Sequence, residues 1–96
     1  MVARRSKRMY RRSNMTMVRV RFFAQLRDAV GVEGLEIEAM DLEAVLATLA
    51  QRYSADVYAQ LRADNVRIAV NQDLVTGNPV LSSGDEVAFL PPVTGG

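Results

Sequence analysis

Residues 17–24 alternate, with Val18, Val20 and Phe22 on one side and Arg19, Arg21 and Phe23 on the other. This is the period of a strand with one buried face. Phe23 is the anomaly, an aromatic on the side that holds two arginines; such a residue carries meaning only if other apolar residues lie beside it. Residues 25–30 suit a helical turn ended by Gly31, and after Gly34 a short strand alternates Leu35 and Ile37 with Glu36 and Glu38. Asp41 is placed to cap a helix in which Leu42, Val45, Leu46, Leu49, Ala50 and Tyr53 recur at helical spacing, with Glu43 early and Arg52 late to suit the dipole. Tyr53 belongs to that core stripe. Residues 56–62 suit a second, shorter helix with Val57 and Leu61 inward. Val66, Ile68 and Val70 then alternate with Arg67, Ala69 and Asn71 as a third strand, after which Asn71, Gln72 and Asp73 supply turn chemistry before Leu74 and Val75. Asn71 is read as a turn residue and not a catalytic one. Residues 76–79 form another turn before the apolar pair Val80 and Leu81. After the turn formers Ser82, Ser83, Gly84 and Asp85 comes a closing strand, Val87 and Phe89 pointing one way and Ala88 and Leu90 the other. Strand, strand, helix, strand, short strand, strand predicts an α+β domain, a mixed sheet with one main helix packed on one face.

Composition narrows the chemistry. Ninety-six residues make one small domain. The chain has no cysteine and no histidine, which excludes disulfides and thiolate metal sites and removes the commonest general base. Independent catalysis is not expected. There is no phosphate-binding GxxxxGK[ST] loop, no apolar run long enough to span a membrane and no hydrophobic leader, so the expected location is the cytoplasm.

The net charge of +1 hides an asymmetry. Arg4, Arg5, Lys7, Arg8, Arg11 and Arg12 stand in a stretch of fourteen residues without an acid, whereas the remaining six bases face all eleven acids and leave the body at −5. Residues 1–16 are read as a disordered basic arm. Such an arm has the chemistry for phosphate contacts, but the reading preferred is a solvated tail, or a chain that starts at Met15 or Met17, so nucleic acid is not expected as a partner.

The last thirteen residues, GDEVAFLPPVTGG, carry the candidate chemistry. Pro91 and Pro92 remove two backbone donors, ending the sheet domain of residues 17–90 and sending out an extended tail, residues 91–96. Six extended residues reach about 20 Å. Val93 and Thr94 lead to Gly95 and Gly96, which have no Cβ and so fit a channel too narrow for other residues.

Together with VRVRFFAQLRDAVG near the start and VRIAVNQDLV in the middle, that ending resembles the small, sulfur-carrying subunit of molybdopterin synthase. The likeness runs from about Val18 to Gly96 and is specific at the tail and first strand, looser in the helix. It implies a ubiquitin-like β-grasp with the first and last strands as parallel neighbours, setting Phe23 and Leu90 together on the face away from the helix, with Leu74 as a third member of a partner-binding patch. It further implies that an ATP-dependent activating enzyme joins Gly96 to AMP, that a sulfur donor then leaves a thiocarboxylate, and that a large catalytic subunit takes the sulfur for the molybdopterin dithiolene. The chain would be a carrier and not an enzyme on its own. It would bind no cofactor tightly, ATP belonging to the activating enzyme, and would assemble as two small and two large subunits. Rival readings are a β-grasp carrier for thiamine, cysteine or tRNA thiolation, a ubiquitin-like protein modifier, and a nucleic-acid-binding module with an inert tail.

Overall fold

A computed structural model describes residues 15–92. The arm through residue 14 and residues 93–96 of the tail lie outside the described residues. Strand β1 (Met17–Phe22) leads into helix α1 (Ala24–Val30), and strand β2 (Gly34–Glu38) precedes the long helix α2 (Leu42–Arg52) and a shorter α3 (Ala55–Leu61). Strands β3 (Arg67–Val70), β4 (Asp73–Leu74) and β5 (Glu86–Leu90) complete the domain. The sheet order is β2-β1-β5-β3-β4, with β1 and β5 parallel at the centre and the other pairs antiparallel. The mixed sheet expected from the order of elements is present, and the first and last strands are parallel neighbours as the family resemblance implies.

The buried side of that alternation makes the core. Val18, Val20 and Phe22 of β1 and Val87 and Phe89 of β5 are all at most 2% exposed. The rings of Phe22 and Phe89 stack 5.7 Å apart at 27°, an offset arrangement that adds to the area each buries. Above them lies α2, begun by Asp41, whose carboxylate accepts from the Ala44 amide at 2.9 Å, satisfying one of the open N–H groups of the first turn. Leu42, Val45 and Leu49 are buried, Leu46 and Tyr53 half-buried, and Ala50, expected in the same stripe, is exposed. Ala50 lies one step round from Leu49, past the edge of the strip that the sheet covers. In α3 the Ser54 hydroxyl accepts from the Val57 amide, and Leu61 is the inward anchor at 1% exposure.

Two strand expectations are corrected. Ala69, assigned to the polar side of β3, is 3% exposed, whereas Ile68 and Val70 are half-buried. On its own face Ala69 lies low between Ala88 and Leu74, its cross-strand partners. The apolar pair splits: Leu81 is buried while Val80, bridged to Asp41, is 83% exposed. Asn71 is indeed a turn residue. It and Gln72 have φ of 52° and 75° between the paired Val70 and Asp73, the two-residue loop whose twist suits a hairpin.

Candidate functional site

The outer face of the sheet, opposite the helices, takes its layout from register. Arg21 stands beside Ala88, Ala88 beside Ala69, and Ala69 beside Leu74, one row across four strands. Leu90 stands beside Arg67. Carrying the β1–β5 register one residue past Phe22 and Phe89 sets Phe23, whose backbone is still extended, alongside Leu90. A second row is therefore Phe23, Leu90, Arg67. Ala69 and Ala88 form a low floor, with half-buried Phe23 and Leu90 rising at one end and Leu74, 65% exposed, at the far side.

Phe23 and Leu90 are thus brought together as expected. Leu74 shares their face but stands two strand spacings from β5, about 9 to 10 Å, with the alanine floor between. Arg21 links the rows, its guanidinium lying 5.0 Å from the centre of the Phe23 ring and 3.3 Å from the Glu86 carboxylate. Such a cation over an aromatic face adds about 0.5 to 1 kcal/mol at an exposed site and limits the ring's freedom. The next residue fixes it further. Ala24 has φ of 52°, a left-handed conformation costing a non-glycine residue about 1 to 2 kcal/mol, and the Phe23 carbonyl accepts from the amides of Leu26 and Arg27. Strain of this kind persists only where its surroundings enforce it.

The tail leaves directly from this face. After Leu90 the half-buried Pro91 and Pro92 carry no amide hydrogen, so the ladder to β3 stops. Val93, Thr94, Gly95 and Gly96 lie outside the described residues. At the opposite end of β5 the entry turn is tied down: the Asn71 side chain donates to Asp85 at 3.0 Å and accepts from the Glu86 amide at 3.0 Å, and Asp85 accepts from the Ser82 amide at 2.8 Å. The Asn71 amide, and after it the Ser82 N–H, hold the Asp85 carboxyl below its ordinary value. Among the described residues no group of three or more His, Cys, Asp or Glu is placed to hold a metal, and no helix is long and apolar enough to cross a membrane.

The model of the ThiS family matches residues 20–96. The chain belongs to the ThiS family. Among relatives of this ThiS-family chain, the molybdopterin synthase sulfur carrier subunit of Escherichia coli (strain K12) is 47% identical over 83 residues, covering 83% of this chain and all of the relative. This bears out the resemblance carried by the tail and first strand. Among solved structures, the complex of subunits 1 and 2 of molybdopterin-converting factor from Helicobacter pylori 26695 contains a similar chain, at TM-score 0.64 and 32% identity, with 84% of this chain and 100% of that one covered. Small archaeal modifier protein 1 (SAMP1) from Methanosarcina acetivorans superposes at TM-score 0.71 with 28% identity, over 86% of this chain and 99% of that one. The architecture shared with these neighbours is the expected ubiquitin-like β-grasp.

Sequence reasoning set Arg67, Ala69 and Ala88 on the outward side of their strands but did not include them in the candidate patch. A small residue at an outward position of each of two neighbouring strands was the available signal, since polar residues stand there when a sheet face is simply solvated.

Proposed function

We propose that this chain is the sulfur carrier of a molybdopterin synthase, with Gly96 as the residue that holds the sulfur. The observation that carries the reading is the full-length match to a sulfur carrier subunit, and the fold supports it by ending β5 at an apolar face from which the tail departs. A carboxylate is a poor acyl donor because its leaving group is oxide. In the proposed sequence the Gly96 carboxylate attacks the α-phosphate of ATP within an activating enzyme, pyrophosphate leaves and a mixed anhydride with AMP forms. Sulfide released by a donor then attacks the carbonyl carbon, the bond to the AMP phosphate oxygen breaks, AMP departs and a thiocarboxylate remains. Its sulfur, more nucleophilic than oxygen, is used by a large catalytic subunit to build the dithiolene.

Each part of the chain has a mechanical role in this scheme. Gly95 and Gly96 give clearance; Val93 and Thr94 span the channel; Pro91 and Pro92 hold the tail off the sheet and reduce the ordering entropy lost on insertion. Phe23, Leu90 and Leu74 are the apolar contacts for both partners in turn. ATP is bound by the activating enzyme, the chain itself needs no tight cofactor, and two copies assemble with two large subunits. The likeness of the H. pylori complex supports a large-subunit partner.

Mass spectrometry after incubation with the activating enzyme, ATP and a sulfur source tests the scheme: one oxygen is exchanged for sulfur, and a mass that does not change overturns it. A second reading, transfer of the activated terminus to lysines, is favoured by the likeness to SAMP1. Conjugates of higher mass on a blot, in place of sulfur gain, would establish it.

A further inference from the structure

The carrier scheme leaves two arginines without a task. On the outer face Arg19 is paired with Glu36 and Arg21 with Glu86. Arg62 and Arg67 are exposed, and among the described residues neither guanidinium has an ion pair. Asp64, in the stretch that joins them, and Asp73 on β4 pair with neither. The body carries a charge of −5, yet these two cations border one cleft.

That cleft exists because β4 is short. β4 ends at Leu74, and one further bond, from the Val75 amide to the Ile68 carbonyl at 3.0 Å, closes the pairing on that side of β3. Beyond it, between α2, the start of β3 and residues 75–77, lies an open cleft of about 250 Å³. Its apolar lining includes the half-buried Leu46, Val66, Ile68 and Val75. Arg62, which follows α3, and Arg67 stand in the same lining, and among the described residues no acid does. Pockets that enclose a small molecule run from about 300 to 1,000 Å³. This one is smaller and open, so it suits a side chain or two presented by another protein.

Arg67 also belongs to the outer row. Its register partner is Leu90, which stands beside Phe23, so a protein covering Phe23 and Leu90 reaches the mouth of the cleft without leaving the tail end of the sheet. We propose, resting on the carrier reading, that the large catalytic subunit seats an acidic side chain in this cleft, its carboxylate meeting Arg62 and Arg67. The large subunit is the partner which that reading supports most directly. A guanidinium presents a planar fork of donors that matches the two oxygens of a carboxylate. The apolar lining keeps water from one side of such a contact, which strengthens it. Since neither arginine is paired among the described residues, docking breaks no ion pair there. Phe23 and Leu90 supply apolar area, and the two arginines select a partner whose matching surface is acidic.

Calorimetry with the purified large subunit tests this, comparing the full-length parent with a full-length variant carrying Arg62→Gln and Arg67→Gln. Both residues are exposed, and equal urea midpoints report that the fold is kept. At low salt the variant binds about tenfold more weakly, and the two affinities converge near 1 M salt, where the screening length is about 3 Å. Equal affinities at low salt overturn the proposal. So does a loss that persists unchanged at 1 M salt, which would give the arginines a packing role, and so does a loss seen with the activating enzyme alone. The parent by itself decides the carrier reading: if it neither gains sulfur nor binds the large subunit, that reading and the cleft fail together, whereas a parent that does both beside an unaffected variant removes the cleft only.

Discussion

Replacing Gly34 with alanine sets two effects of opposite sign against each other. Gly34 is not among the glycines with a left-handed backbone, so on chain entropy alone the substitution stabilises, by about 0.4 to 1 kcal/mol. A Cβ at this position, however, falls 2.5 Å from the Val20 carbonyl oxygen and 3.5 Å from the Arg21 Cα. Both atoms are backbone, so no side chain can swing aside. A carbon–oxygen contact normally sits at about 3.3 to 3.6 Å, and β1 and β2 must part by most of an ångström, stretching the adjoining pair Val20 and Leu35. Overpacking of this kind costs about 1 to 3 kcal/mol. The steric effect wins, leaving a net loss of about 1 to 2 kcal/mol, which in a domain of this size lowers Tm by about 4 to 16 °C. Urea unfolding followed by circular dichroism gives the readout: the midpoint falls while the slope stays constant, because the surface exposed on unfolding is nearly unchanged. A midpoint equal to or above the parent's, at the same slope, would show that the start of β2 yields freely and that close approach to β1 does not constrain residue 34.

Three further outcomes follow from the outer face, the tail and the entry turn. Leu90→Asp or Phe23→Asp leaves the domain folded, since both residues are half-buried at the end of the sheet, but weakens binding to the large subunit and to the activating enzyme by at least about tenfold, given about 1.5 to 3 kcal/mol for a buried apolar side chain; calorimetry showing unchanged affinity removes the patch from the scheme. Gly96→Ala folds normally and fails to acquire sulfur; sulfur gain at the parent's rate by mass spectrometry defeats the clearance argument. The folded pKa of Asp85 is depressed, so its stabilising contribution is complete above the ordinary carboxylate value of about 3.9 and is lost as pH falls through the folded value. Asp85→Asn therefore lowers Tm near neutral pH, with a deficit that disappears in strong acid, and a deficit independent of pH sinks the assignment.

Alternation made β1, β2 and β5 legible because each buries one side, and the cap at Asp41 with leucines at helical spacing marked α2. What stayed hidden has a physical pattern. Alanine gives little directional signal, so Ala69 and Ala88 were set outward without being assigned to the patch they floor, and Ala50 read as core although it is exposed. Ala24 and Gln72 adopt positive φ without being glycine, a choice enforced by tertiary contacts and invisible to local propensity. Val80 looked like half of a buried pair, yet the bridge to Asp41 uses its backbone and leaves its side chain in water. The site fared similarly: Phe23 and Leu90 stood out as apolar residues in outward positions, while Arg21, which connects them to Glu86, looked like any solvated base.

The parallel pairing of β1 with β5 accounts for the location of the site more economically than any side chain does. Parallel neighbours end at the same edge of the sheet, so the residue after β1 meets the last residue of β5; these are Phe23 and Leu90. In an antiparallel pair the tail would emerge at the other end, beside Met17. The same pairing sends the start of β1 and the Asn71–Asp85 turn to the far end, separated from the tail by the length of β5, about 17 Å for five residues. Under the proposed function a partner gripping Phe23 and Leu90 approaches from the end of the sheet at which the tail leaves.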